Sequence, residues 1–384
     1  MLLLGLLNQN DHSLELFYRM HILRLNQGIL PLIFQSLKLL LYLYIFILSI
    51  NLIGASLKLF GNNFAENLLM TTSNPIVGVF IGILATSVMQ SSSSTTSITV
   101  GMVSGGVLTI ESAVPIVMGA NVGTSVTNTL VALGHINHSE EMKRSFAAST
   151  VHDVFNLFSL LLLFPLQYFA GFLSRSAVIM GSEFQDLGGV QLFNPLKIAT
   201  TPVIGILERL LGNYPWFLLI VSMFLLFLTL KCLMTLLKGY VLPKASFLFD
   251  RMLFKTALRA FLLGLLITIG VQSSSIVTSI VVPLAAAGLL TLDQIFPYTL
   301  GANVGTTFTA ILASLATANV NAITVAFSHL LFNIFGIMFW WPFRKLPISL
   351  AGILGQLAER SKVIPLIYIL MVFFVIPIAA IIFL

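Results

Sequence analysis

One cysteine, Cys232, in 384 residues excludes an intramolecular disulfide. Charged side chains are also scarce for a chain of this length: they make up 8%, against 58% hydrophobic residues, with a mean hydropathy of +1.02. Such a chain cannot clothe itself in a polar surface, so water-soluble classes are excluded and the surrounding solvent is lipid. No Cys or carboxylate cluster accompanies His152 and His329, which makes them core or interface histidines rather than metal ligands. No base precedes the apolar start Met1–Leu7, and Asp11 and Glu15 follow it, so a cleaved signal peptide is not expected. The net charge of +6 does not indicate nucleic acid, because the basic residues fall between apolar stretches, where membrane topology explains them. Asn137-His138-Ser139 matches a glycosylation sequon but lies in a loop assigned below to the cytoplasmic side.

What is present is hydrocarbon, interrupted twice by the same polar pattern. Stretches 37–57, 215–237, 320–341 and 363–384 each reach the roughly 20 residues a helix needs to cross a bilayer, so an all-α integral membrane protein is expected. Residues 84–133 align without gaps on 266–315, with 23 identities in 50 positions. The first copy carries Gln90-Ser91-Ser92-Ser93 and Gly119-Ala120-Asn121-Val122-Gly123-Thr124. The second carries Gln272-Ser273-Ser274-Ser275 and Gly301-Ala302-Asn303-Val304-Gly305-Thr306. The chain is an internal duplication, and what it duplicates is costly inside a membrane unless it binds something.

Charge asymmetry supplies orientation. Lys231, Lys238, Lys244, Arg251, Lys255 and Arg259 cluster before the second copy, a cytoplasmic signature, whereas 59–74 before the first copy is nearly free of bases. Lys143 and Arg144 place 134–144 inside, and the absence of a base places 316–321 outside. Equivalent loops on opposite sides predict inverted-topology repeats. Similarity continues past the motifs, pairing His152, Phe155, Asn156 and Pro165 with His329, Phe332, Asn333 and Pro342. The expected organisation is a cytoplasmic or interfacial segment 1–37, repeat 1 at 38–170, an external connection 171–213 with an amphipathic helix, repeat 2 at 214–343, and an inner interfacial segment with a C-terminal transmembrane helix at 344–384. Counting spans puts the C-terminus outside.

The stretch 75–108, as one straight helix, would measure about 50 Å and overshoot the bilayer. It must fold back or break, and a break at Gln90-Ser91-Ser92-Ser93 exposes helix-end N–H groups and carbonyls that are tolerated at depth only beside a cavity or under protein. Stretch 257–290 repeats this around Gln272. Each repeat thus has a re-entrant hairpin or broken helix, and the two tips together form one site of amides and hydroxyls without lysine or arginine. Serine caps and helix N-termini suit a small oxyanion, and the same oxygens suit a dehydrated alkali cation. Packing of small residues is the competing explanation of the serine runs. In the second motif the glycines permit close helix contact. Asn121, Thr124 and Thr127 at three-residue steps share one face and, with Asn303 by symmetry, enter the ion site. Glu111 and Asp293 are expected as N-terminal helix caps. Asp153, whose repeat partner is Leu330, is an intramembrane acid and hence a functional candidate. With Asn156 one turn on, it completes a cation site, and pairing with His152 is the structural alternative.

The paired Gln-Ser-Ser-Ser and Gly-Ala-Asn-Val-Gly-Thr motifs, with Thr150-Val151-His152-Asp153-Val154-Phe155-Asn156, resemble the type II sodium-dependent phosphate cotransporters (NaPi-II), bacterial members included, over about residues 38–342. The resemblance implies import of phosphate with sodium ions. Phosphate would sit at Gln90, Ser91, Ser92, Ser93, Gln272, Ser273, Ser274 and Ser275. Sodium would sit at Gln272, Ser273, Ser274, Thr306 and Thr309, and at Asp153 with Asn156, where electrogenic members carry the aspartate. The chain departs from vertebrate members in its short external segment without paired cysteines and in serine at 149. The function expected is a sodium:phosphate symporter, electrogenic, of the bacterial inner membrane. Its partners are inorganic phosphate, sodium and lipid, with a homodimer as the assembly to test, and it needs no cofactor. A symporter of another oxyanion such as sulfate is the alternative. A serine hydrolase using His152 and Asp153 is disfavoured, since neighbours on a helix point about 100° apart.

Overall fold

The computed structural model describes residues 34–60, 72–186, 189–248 and 254–384. Most of the expected N-terminal segment, residues 61–71 of the first external loop, and Arg251 with the side chains of Lys238 and Lys244 lie outside the described residues. The chain divides into two units, Met1–Tyr44 and Ile45–Leu384. In the first, the described residues open helix α1 (Phe34–Leu59), where the Lys38 ammonium lies 4.9 Å from the centre of the Phe34 ring.

The second unit continues with α2 (Pro75–Met89), α3 (Ser92–Ser104), α4 (Ile110–Gly123), α5 (Val126–Ala132), α6 (Ser139–Ala170), α7 (Phe172–Asp186), α8 (Gly189–Leu211), α9 (Pro215–Leu248), α10 (Ala257–Val271), α11 (Ser274–Ala286), α12 (Leu292–Thr317), α13 (Val320–Trp340), α14 (Lys345–Arg360) and α15 (Val363–Phe383). No strand occurs among the described residues, and seven of their helices are long and apolar enough to cross a membrane. The four stretches expected from hydropathy each fall on one of them. The protein is an all-α integral membrane protein.

Both long polar-centred stretches are broken where their length requires it. α2 ends at Met89 and α3 starts at Ser92; α10 ends at Val271 and α11 starts at Ser274. The first half of each broken helix is clamped to the helix that comes after the second half, α2 to α4 and α10 to α12. A β-carbon on Gly119 would overlap the Val79 carbonyl oxygen, and one on Gly82 the Ile116 carbonyl oxygen; in the second copy Gly301 meets Phe261 and Gly264 meets Tyr298 in the same way. Only glycine lets these backbones touch, which accounts for the glycines of the second motif by packing.

The copies interlock rather than standing apart. α3 of the first packs on α12 of the second, and α11 of the second packs on α5 and α6 of the first. α6 serves three apolar clusters, one of them through Met142 and Phe146 with Val282 and Ala358. Val151 and Phe155 join α10, α11 and α12, while Leu160 and Leu163 join α2, α4, α13 and α15.

Three expectations need correction. Residues 171–213 form helices α7 and α8 rather than a loop carrying one helix. Glu111 and Asp293 are not caps: Thr109 and Thr291 cap those helices and the acids sit in the first turn, where the positive end of the dipole favours them. The helix of Asn121 stops at Gly123, so Thr127 belongs to α5 and does not continue the face of Asn121 and Thr124; in the second copy α12 runs unbroken through Asn303, Thr306 and Thr309. The amphipathic segment expected near 347–362 is α14, which packs along α6 with Gly355 against the Lys143 carbonyl.

Candidate functional site

The two breaks have nearly the same backbone. Gln90 has φ 53° and ψ 28°, and Gln272 has φ 60° and ψ 25°; the serine after each is extended, at φ −153° with ψ 102° for Ser91 and 107° for Ser273. A left-handed glutamine costs about 1–2 kcal/mol, and its appearance at both equivalent positions makes it a built feature. The conformation turns the chain so that Ser91 Oγ accepts from Ser94 N (3.2 Å) and Ser273 Oγ from Ile276 N (3.4 Å), capping α3 and α11. Their remaining first-turn N–H groups and the positive ends of their dipoles face the break.

These ends are buried. Ser92, Ser93, Ser94, Ser274 and Ser275 are all inside, with Thr96 Oγ1 and Ser97 Oγ enclosed without a hydrogen-bond partner. Thr86 and Thr95 hydroxyls bridge the two halves of the first broken helix at 2.7 Å. In the second copy the Gln272 amide oxygen accepts from Thr309 Oγ1 (2.7 Å), and Gln272 Nε2 donates to the Ile269 carbonyl. The equivalent pair, Gln90 and Thr127, is not joined: Gln90 is exposed and Thr127 Oγ1 is buried without a partner. Thr306 hydrogen-bonds within its own helix, to the Ala302 carbonyl.

Between the copies runs a chain of amides. His152 Nε2 donates to Asn303 Oδ1 (2.6 Å), Asn303 Nδ2 to Asn156 Oδ1 (2.8 Å), and Asn156 Nδ2 to the Asn121 carbonyl (2.8 Å). Asn121 Oδ1 in turn accepts from His329 Nε2 and Asn333 Nδ2, both at 3.2 Å. Each histidine thus meets the motif asparagine of the other copy. A further crossing is made by Asn128 Nδ2, which donates to Thr278 Oγ1 (2.9 Å) on α11. The structure therefore brings Asn121, Asn156 and Asn303 together.

Asp153 stands apart from them. Its Oδ2 accepts from Tyr368 Oη (2.9 Å) and Thr129 Oγ1 (3.4 Å), and neither His152 nor Asn156 is among its partners. The alternative pairing of Asp153 with His152 is not seen, because adjacent positions on α6 point about 100° apart; Asn156, one turn on, hydrogen-bonds to Asn121 and Asn303. Asn128, Thr129, Thr278 and Tyr368 join this polar interior by hydrogen bonds that the motifs do not reveal. Asn128 aligns with Ala310, so an argument from symmetry passes over it.

The fold and interior define the class: an integral membrane protein whose buried polar centre is assembled from two copies of one helical unit. Within that class, the chain belongs to the Na+/Pi-cotransporter family, whose model matches residues 45–192 and 225–354. It is 32% identical over 418 residues to the sodium-dependent phosphate transport protein 2A of Ovis aries, covering 88% of this chain and 65% of that protein. To protein 2B of Homo sapiens it is 31% identical over 436 residues, covering 88% and 63%. The chain thus spans a little under two thirds of the length of these relatives. No solved structure matches it.

Proposed function

We propose that the chain is a secondary active transporter that imports inorganic phosphate together with sodium ions. The observation that carries this reading is the pair of left-handed Gln-Ser breaks, each presenting a serine-capped helix N-terminus in a buried, hydroxyl-rich interior with no buried lysine or arginine among the described residues. Hydroxyl and N–H donors at Gln90 to Ser93 and Gln272 to Ser275 can replace the water of a phosphate ion, with the dipoles opposing its charge. Oxygens of Gln272, Ser273, Ser274, Thr306 and Thr309 suit one sodium ion, and the Gln272–Thr309 contact already gathers two of them. Asn121, Thr124, Asn156 and Asn303 line the same interior, and Asp153 offers a separate anionic site that makes transport electrogenic. The relatives' names favour phosphate over sulfate.

The two family-matched blocks and the crossed His–Asn pairs support two repeats, at 38–170 and 214–343, related by inversion and each folding back at its break. A second sign is the placement of cavities. One of about 310 Å3 lies between Ser104, at the end of the first broken helix, and Thr317 and Asn319, where α12 turns into α13; another of about 390 Å3 lies between Ala285 and Gly288, at and just past the end of the second, and Glu140, Lys143 and Arg144 at the start of α6. Each copy's returning half-helix meets the other copy's turn, as an inverted pair would arrange two vestibules. The bacterial inner membrane is carried from the resemblance, and a homodimer is the assembly to test.

Isotopic phosphate uptake into proteoliposomes, with inward sodium, potassium and proton gradients in parallel, tests the reading. Uptake driven by sodium and competed by phosphate but not sulfate is expected. Uptake indifferent to sodium would refute the coupling, and competition by sulfate would move the substrate assignment.

A further inference from the structure

Asp153 is a fully buried carboxylate whose Oδ1 has no hydrogen-bond partner. Its donors are hydroxyls: Tyr368 and Thr129 bond to Oδ2, and the Ser125 hydroxyl also lies close to the carboxyl group. No basic side chain bonds to it among the described residues. A carboxylate in a membrane interior with one unsatisfied oxygen calls for a positive partner from outside the protein.

The nearer donor comes from an unexpected place. Tyr368 lies on α15, beyond residue 354 where the family match ends, on a helix of which only 17% of the spanning window is buried. α15 is not regular: Met371–Val375 is a π turn. In an uninterrupted α-helix Tyr368 and Phe373, five positions apart, would point about 140° away from each other, whereas an i→i+5 turn brings them onto one face. Phe373 is buried, and the Tyr368 ring makes edge-on contacts with it (6.2 Å between centroids) and with Phe146 of α6 (5.7 Å). A helix that served only to meet lipid would need neither the π turn nor a half-buried tyrosine whose hydroxyl is aimed at the acid.

We propose that Tyr368 is the positioning residue of the Asp153 site. Its hydroxyl holds Oδ2, so that Oδ1 is presented to a sodium ion, and α15 is thereby part of the ion-coupling machinery rather than an appended anchor. This rests on the reading of Asp153 as a sodium site. Tyr368→Phe removes one oxygen and keeps the ring contacts, so packing against Phe146 and Phe373 survives.

The test is sodium-specific thermal stabilisation of the purified full-length protein in detergent, titrating NaCl against choline chloride at constant ionic strength, for wild type, Tyr368→Phe and Asp153→Asn. Wild type should be stabilised, Asp153→Asn should lack part of that response, and in Tyr368→Phe the same part should need about tenfold more sodium, the scale of one charge-assisted hydrogen bond. In choline Tyr368→Phe should still fold and melt cooperatively, its melting temperature falling by no more than the loss of one hydrogen bond. A wild-type sodium midpoint in Tyr368→Phe, an undiminished response in Asp153→Asn, or no sodium response in wild type would each overturn the proposal. The readout does not depend on phosphate movement, so failed uptake would sink the transport reading while leaving this result standing, and the converse holds.

Discussion

His152 and Asn303 lie 151 positions apart in sequence and 2.6 Å apart in space, and their counterparts His329 and Asn121, 208 positions apart, meet at 3.2 Å. Buried polar groups of this kind are costly when orphaned. His152→Ala and Asn303→Ala should each lower stability by about 1–3 kcal/mol, because the partner loses its bond without gaining water. The double variant should fall short of the sum, with a coupling of about 0.5–3 kcal/mol. Strict additivity in detergent unfolding would mean that the pair does not interact.

Ser92→Ala with Ser274→Ala should reduce sodium-driven phosphate uptake to less than about a tenth of wild type at equal amounts of folded protein, since two hydroxyl donors leave the shared centre, each worth about 1 kcal/mol or more. Thr309→Val should raise the sodium requirement by freeing the Gln272 amide. Normal uptake by the serine double variant would remove the assignment of the site.

Gly301→Ala should leave little folded protein, because the new methyl would meet the Phe261 carbonyl and the Leu265 backbone nitrogen, and backbone cannot step aside. Gly352, inside α14, has nothing within 4 Å of where its β-carbon would stand. Gly352→Ala should instead raise stability by about 0.5–1 kcal/mol. Size-exclusion profiles and melting temperatures of the two variants check the contrast.

Single cysteines placed at Asn137 and Asn319 on a Cys232→Ser background should label from opposite sides of the membrane. Labelling from one side would leave a parallel duplication and remove the inverted arrangement.

Asp153→Gly should keep sodium-dependent phosphate uptake measurable while abolishing its response to a valinomycin-imposed potential, because one anionic ligand is lost and both Gln-Ser-Ser-Ser breaks remain. His152 keeps Asn303 as its partner in this variant, so folding should survive. A variant as voltage-sensitive as wild type would contradict the role given to Asp153.

The breaks at Gln90 and Gln272 were legible in the sequence because length and capping chemistry agree there: the stretch is too long to cross straight, and serine follows glutamine where a cap is needed. Gly119 and Gly301 were legible for the same reason of double constraint. The region 171–213 was misread because Gly188, Gly189, Pro195 and Pro202 look like loop punctuation, whereas α8 accommodates both prolines. Thr109 and Thr291 were passed over for the neighbouring acids, since a charge near a helix start draws attention that a hydroxyl two residues earlier does not. Tyr368 could not be found at all from local pattern. It sits in an apolar run outside the duplication, and its relation to Asp153 exists only once α15 lies on α6.

The glycine contacts carry a mechanical consequence. Where α2 lies against α4, and α10 against α12, carbonyl oxygens of one helix rest on the bare α-carbons of the other, with no intervening side chain to yield. A slide of one residue along either seam would drive a β-carbon into backbone. Neither seam can serve as a bearing, and each pair is a splint: any rearrangement of the interior has to carry the helix leading into a break and the helix beyond it as a single strut, and must take up its slack where side chains, not backbones, meet.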